Sequence, residues 1–159
     1  MNDMQLIIES EVAKHNISII KWSGYGGRAN GKGIKIPKPV DFMTFGTCFH
    51  EIGHVVLGHV IEGDKTRRYI EEYEAEQYAI NKLKEYGFYN KTYEISGISY
   101  VLSKIAQAKN RGHNMKMVPK EIVRWTGLQI NKWNKAKKVF VYYGIYKIKK
   151  DIIIELSWT

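Results

Sequence analysis

The sequence predicts an α+β fold, and three observations carry that prediction. Apolar residues recur at helical spacing through the middle of the chain, short β-branched runs stand near both ends, and a glycine-rich interval interrupts the first strands. Leu6, Ile7, Ser10, Val12 and Ala13 predict a first helix that ends near His15 and Asn16. "ISIIKW" (17–22) then reads as a buried strand. "SGYGGRANGKG" (23–33) holds five glycines without apolar period and reads as a flexible loop; it lacks the G-x-x-x-x-G-K-[ST] spacing of a phosphate-binding loop. "GIKIP" (33–37) reads as a short strand, and Pro37 and Pro39, which have no amide hydrogen, place it at a sheet edge. Helices are expected over about 43–61, 66–86 and 94–110, with shorter ones near 119–125 and 128–138. "KVFVYYGIYKIKK" and "DIIIELSW" read as closing strands.

Length and composition set the class. A chain of 159 residues that is 44% apolar can bury one ordinary core. The N-terminus carries Asp3, Glu9 and Glu11 rather than a basic then apolar layout, and no run of eighteen uncharged apolar residues occurs, so neither export nor membrane insertion is expected. The single Cys48 forms no internal disulfide, which fits the reducing cytoplasm. The net charge of +9 is unevenly spread: residues 97–159 hold thirteen Lys/Arg against three Asp/Glu, while the first 96 residues nearly balance. Such a basic third reads either as a solvated surface or as a footprint for nucleic acid or an acidic partner.

The chemistry concentrates in "FHEIGHVVLGH" (49–59). His50 and His54 stand four apart, one turn of a helix, so both imidazoles can address one ion; Glu51, at the edge of the same face, can reach a metal-activated water. With five His in the chain, chance would produce H-E-x-x-H in roughly one such sequence in a hundred. The flank Val55, Val56, Leu57 and Val60 predicts a buried helix, in which two imidazoles and a carboxylate are costly unless a metal pairs them. A catalytic zinc ion needs a third protein ligand. His59 follows His54 by five residues rather than the six of the metzincin pattern and reads as a helix-end or surface residue. The next helix offers Glu71, Glu72, Glu74 and Glu76. Ala75 and Ala79, suited to close helix approach, share a stripe with Glu72, Glu76 and Leu83. That stripe selects Glu72 as the ligand and Glu76 as acceptor for a ligand histidine N–H; Glu71 and Glu74 read as solvated surface. Zn2+ is the expected cofactor, with Glu51 as general base in peptide hydrolysis. An oxyanion donor, tyrosine or histidine, is not selected by the pattern, and His113 in "NRGHN" is one candidate.

"HEIGHVVLGH" followed by "EYEAEQYA" resembles the ImmA/IrrE group of metallopeptidases and, more widely, the gluzincins, across residues 34–83. The resemblance implies a zincin-like fold, with a small sheet and an edge strand, the H-E-x-x-H helix and a glutamate-bearing helix; together with the charge distribution this divides the chain into a core over 1–96 and a basic helical or hairpin region over 97–159. It implies zinc on His50, His54 and Glu72, a substrate peptide along the strand at 34–36, and cytoplasmic repressors of mobile elements or stress regulons as substrates. Glu76 stands where Asp or Asn is usual, and "INKLKEYGFYN" replaces the small apolar stretch that often follows.

The basic third supports a second reading. "PKEIVRWTGLQINKWNKAKK" (119–138) spaces Ile122, Gly127, Leu128, Trp133 and Ala136 like a helix-turn-helix, with Lys132, Lys135, Lys137 and Lys138 on its second helix. "VFVYYGIYKIKK" would supply a hairpin wing. A DNA-binding module is therefore the alternative to a peptidase, and Thr126 stands where such motifs favour an apolar residue.

Overall fold

The computed structural model describes residues 3–31, 33–59, 65–142, 146–149 and 152–156, with the backbone alone from 142 onward. It is α+β and divides into two compact units, one of Met1–Gly63 with Glu74–Tyr93, the other of Asp64–Tyr73 with Glu94–Thr159. The cut differs from a single one at 96/97 because the first turn of the third helix groups with the later residues.

In the first unit, α1 (Asp3–Lys14) stops at Asn16, whose φ of 56° is left-handed. Amides of Asn16 and Ile17 donate back to the carbonyls of Ala13 and Val12, the double bond of a Schellman cap, and Ile17 and Val12 form its apolar pair of buried side chains. Strand β1 (Ser18–Ser23) follows, then β2 (Arg28–Asn30) and β3 (Gly33–Pro37), in the sheet order β1-β3-β2. The first is parallel to β3 and the second antiparallel to it.

Three expectations change here. The glycine-rich interval contains β2, because its short polar run pairs with β3 through Arg28, Ala29 and Asn30. Strand β3 is central rather than an edge, since Pro37 is its last residue and Pro39 lies beyond it, so neither removes an interior ladder bond. Strand β1 takes the edge and is not buried, leaving Ile20 61% exposed.

Helix α2 (Phe42–Val56) starts on a capping box: Asp41 Oδ1 accepts from Thr44 N–H at 2.8 Å, and Thr44 Oγ1 accepts from Asp41 N–H at 3.1 Å. It packs on β3 and β2, and its Phe45, Cys48, Phe49 and Ile52 are all fully buried. Its C-terminal flank is not buried as expected: Val56 and Leu57 are exposed because the helix ends there, and Val60 and Ile61 lie outside the described residues. Helix α3 (Arg68–Glu85) buries Ala75, Ala79 and Leu83 fully, the stripe expected for close approach. The approach is tight: a Cβ on Gly53 of α2 would lie 3.1 Å from the Tyr78 side chain.

Glu11 ties α1 to α3. Its carboxylate, 3% exposed, accepts from Tyr78 Oη at 3.2 Å and Tyr86 Oη at 3.4 Å and pairs with Lys82 Nζ at 2.8 Å. Burial alone raises the pKa of Glu11, but the bonds and charge of Lys82, with Tyr78 and Lys14, outweigh it and hold the carboxyl below its ordinary range.

In the second unit, α4 (Lys91–Asn110), α5 (Lys120–Thr126) and α6 (Ile130–Lys135) enclose Val101, Ile105, Met115, Ile122 and Trp133, all essentially buried, together with Tyr69. Asn110 clips the last sheet, donating to the Val139 carbonyl at 2.8 Å and accepting from its amide at 2.9 Å. That sheet has the order β4-β6-β5, from β4 (Lys138–Tyr142), β5 (Tyr146–Lys149) and β6 (Ile152–Leu156). The expected β4–β5 hairpin does not form: β6 inserts between them, parallel to β4 and antiparallel to β5. Among the described residues no helix is long and apolar enough to cross a membrane.

Removing the Glu11 carboxylate leaves Lys82 without its buried partner, so Glu11→Ala is expected to lower stability by about 3 kcal/mol at pH 7. The folded-state pKa of Glu11 is depressed, so its contribution is full above the ordinary carboxyl value and fades as pH falls through the folded value. Denaturant titrations of wild type and Glu11→Ala should therefore differ at pH 7 and converge in acid; an equal gap at both pH values contradicts the assignment.

Candidate metal centre

Helix α2 presents His50 and His54 one turn apart, and their Nε2 atoms approach to 3.0 Å. Glu72, on α3 and 1% exposed, brings a carboxylate oxygen to the same place: one ligand atom from each of His50, His54 and Glu72 lies within 4.8 Å of the others. Arg68 Nε, one turn earlier, sits 3.2 Å from Glu72 Oε1 and turns that carboxylate. The residues that the sequence selects as ligands are thus brought together.

The protons decide what this cluster can do. Nδ1 of His50 lies 3.0 Å from Oε1 of Glu76, an approach bent away from a straight hydrogen bond, and the carboxylate calls for a proton on Nδ1. Glu76 is itself held by the Tyr93 hydroxyl, which burial first and the neighbouring Glu76 carboxylate next push well above its ordinary pKa, so it remains a donor. Nδ1 of His54 is occupied on its outer side, 2.8 Å from Nδ1 of His59. If both Nδ1 atoms carry the proton, the two Nε2 lone pairs face each other across 3.0 Å with Glu72 beside them. Three electron-pair donors converging in this way repel one another and suit a cation, and two imidazoles with one carboxylate are a donor set for zinc or another first-row divalent ion.

Glu51 is buried beside this set on the same helix. Gly27, directly before β2, lies against it: a Cβ there would strike Glu51 Cγ and stand 2.7 Å from Oε1. Its glycine is required for that close approach. Gly46 does the same for Tyr93, whose ring a Cβ at 46 would enter. Beside His54 a cavity of about 220 Å3 opens, lined by Ala29, Gly31, His54, Val55, Gly58 and His59. Cys48 is excluded from the chemistry: its thiol donates to the Pro37 carbonyl at 3.2 Å, and burial, then the charge of Glu51, pushes its pKa up to about 12.

Of the two surface readings, that of Glu74 holds and that of His59 does not. The side chain of His59 is only 8% exposed, and Glu74, although half exposed, places Oε2 2.8 Å from His59 Nε2. His59 is not on the helix at all, since α2 has ended before it. His113 pairs with the Tyr69 hydroxyl at 3.0 Å. The roles of Gly27 and Tyr93 carry no local motif: each is set by a contact across tens of residues.

Comparison with known protein families, curated proteins and solved structures finds no match. The site therefore stands on its own geometry.

Each ligand is expected to be needed. Wild type should bind about one zinc per chain, and His50→Ala, His54→Ala and Glu72→Ala should each lose most of it while keeping the helical circular dichroism. Full zinc retention in Glu72→Ala would remove that residue from the set.

Proposed function

We propose that the chain is a zinc-dependent peptidase that hydrolyses a peptide bond in a protein substrate, with zinc on His50, His54 and Glu72 and Glu51 as general base. The observation that carries the proposal is the convergence of the two Nε2 atoms and the Glu72 carboxylate next to a second buried carboxylate, Glu51. A zinc ion held there supplies Lewis acidity to a water and to the carbonyl of the scissile bond. Glu51, which is not among the three ligands, takes the proton of the attacking water and returns it to the leaving amine. Glu76 and Tyr93 hold His50 with its Nε2 turned inward.

The sheet supplies a place for the substrate. Strand β2 is the outer strand on the side of α2, and an extended peptide added along Arg28–Asn30 passes Gly27 and Glu51. This replaces the strand at 34–36, which lies inside the sheet. The neighbouring cavity, floored by Ala29 and Gly31, takes one substrate side chain. The resemblance to ImmA/IrrE peptidases supports the same activity and points to transcriptional repressors of mobile elements or stress regulons as substrates.

Glu51→Gln tests the reading. It should retain zinc yet cleave a proteome-derived peptide mixture at least about a hundredfold more slowly than wild type, followed by mass spectrometry. Gly27→Ala should retain zinc and lose cleavage as well, because the added methyl displaces Glu51. Undiminished cleavage by Glu51→Gln, or none by the zinc-loaded wild type, contradicts a peptidase.

A second reading, DNA binding, is favoured by the exposure of Lys132, Lys135, Lys137 and Lys138 in and after α6. That helix has six residues, about 9 Å, so phosphate contact rather than base reading is the mode it favours. Affinity for duplex DNA should then fall steeply with salt, with a shallower slope in the double variant Lys135→Glu and Lys138→Glu; salt-insensitive or absent binding excludes it.

A further inference from the structure

Helix α2 ends in the same cap as its neighbours, with one substitution of chemistry. Gly58, at φ +68°, donates to the Val55 carbonyl at 3.1 Å, and the amide of His59 donates to the His54 carbonyl at 2.9 Å. This double bond is a Schellman cap, in which the residue after the glycine ordinarily makes an apolar contact with the residue five before it. Ile17 and Val12 occupy these positions after α1, and Phe88 and Leu83 after α3. After α2 the pair is His59 and His54, joined through their Nδ1 atoms at 2.8 Å, and the outer nitrogen of His59 meets Glu74 at 2.8 Å.

We propose that His59 is a positioning residue for the metal ligand His54, with Glu74 as its anchor. The proposal rests on the metal reading given above and deepens it. Two neutral imidazoles sharing a contact between their Nδ1 atoms have one proton in that contact. Glu74, an acceptor only, requires the His59 proton on Nε2. His59 Nδ1 is then an acceptor, so the proton in the contact belongs to His54 Nδ1. That leaves the lone pair of His54 on Nε2, the nitrogen that faces His50 and the cluster. The opposite order would put a lone pair of His59 against the Glu74 carboxylate at 2.8 Å and a proton of His54 where a metal must bind. Glu74 thus fixes the tautomer of His59, and His59 fixes that of His54. His50 needs no such chain because Glu76 meets it directly. The helix cap makes the arrangement local: Gly58 reverses the backbone so that His59 returns over the last turn.

The test separates positioning from capping. Nitrogen-15 NMR of the metal-free full chain should show His54 protonated on Nδ1 and His59 on Nε2 at neutral pH. Zinc affinity, from competition with a chromogenic chelator, should fall about ten- to a hundredfold in His59→Leu, which restores the apolar contact of an ordinary cap yet accepts no hydrogen bond. Glu74→Ala should fall by a smaller factor, and Glu74→Gln, whose amide oxygen still accepts, should stay near wild type. Wild-type affinity in both His59→Leu and His59→Ala, or a proton on Nε2 of His54, overturns the proposal while leaving the metal site in place. A wild type that takes up no zinc overturns the metal reading itself.

Discussion

Two imidazole nitrogens directed at each other across 3.0 Å, with a buried carboxylate beside them, are the constraint on which the site depends. With both rings protonated on Nδ1 such a pair is repulsive in a dry interior, and together with the adjoining Glu72 carboxylate it forms a group that could hold a cation. Holding the pair in place takes partners of two kinds. Glu76 and Tyr93, both buried, act behind His50, whereas His59 and the half-exposed Glu74 act behind His54.

The backbone pays for this convergence with glycine. Gly53 lets α3 approach α2, Gly46 admits the Tyr93 ring, and Gly27 lets the sheet reach Glu51. A methyl group at any of them meets a side chain of the site or of the helix packed on it. Around these contacts an apolar core of Phe45, Phe49, Tyr86 and Phe88 sets the helices, with Phe45 and Phe49 edge to face at 4.8 Å and Phe49 stacked on Tyr86 at 5.8 Å. The three candidate ligands are therefore carried on helices rather than on loops.

Much of this was legible from residues alone because it obeys one period. His50 and His54 repeat at a helical turn, and Ala75, Ala79 and Leu83 mark the face of α3 on which Glu72 and Glu76 also stand; all of these are buried or partly so. Structure and pattern part where the period stops. The expected helix over about 43–61 runs through His59, whereas Gly58 ends it, and a glycine followed by a residue five after His54 has the spacing of a Schellman cap. Strand β2 is three residues long, too short to show alternation among glycines. The prolines of β3 predict an edge, yet a proline at the final residue costs the ladder nothing. The β4-β6-β5 order depends on pairing between distant segments, which no local pattern encodes.

Zinc K-edge X-ray absorption on the loaded full chain tests the central claim most directly. The account predicts two imidazole nitrogens at about 2.0–2.1 Å with carboxylate and water oxygens completing a four-coordinate shell, and loss of one imidazole in His54→Ala. A shell of oxygens alone, sulfur at about 2.3 Å, or a spectrum unchanged in His54→Ala would contradict it.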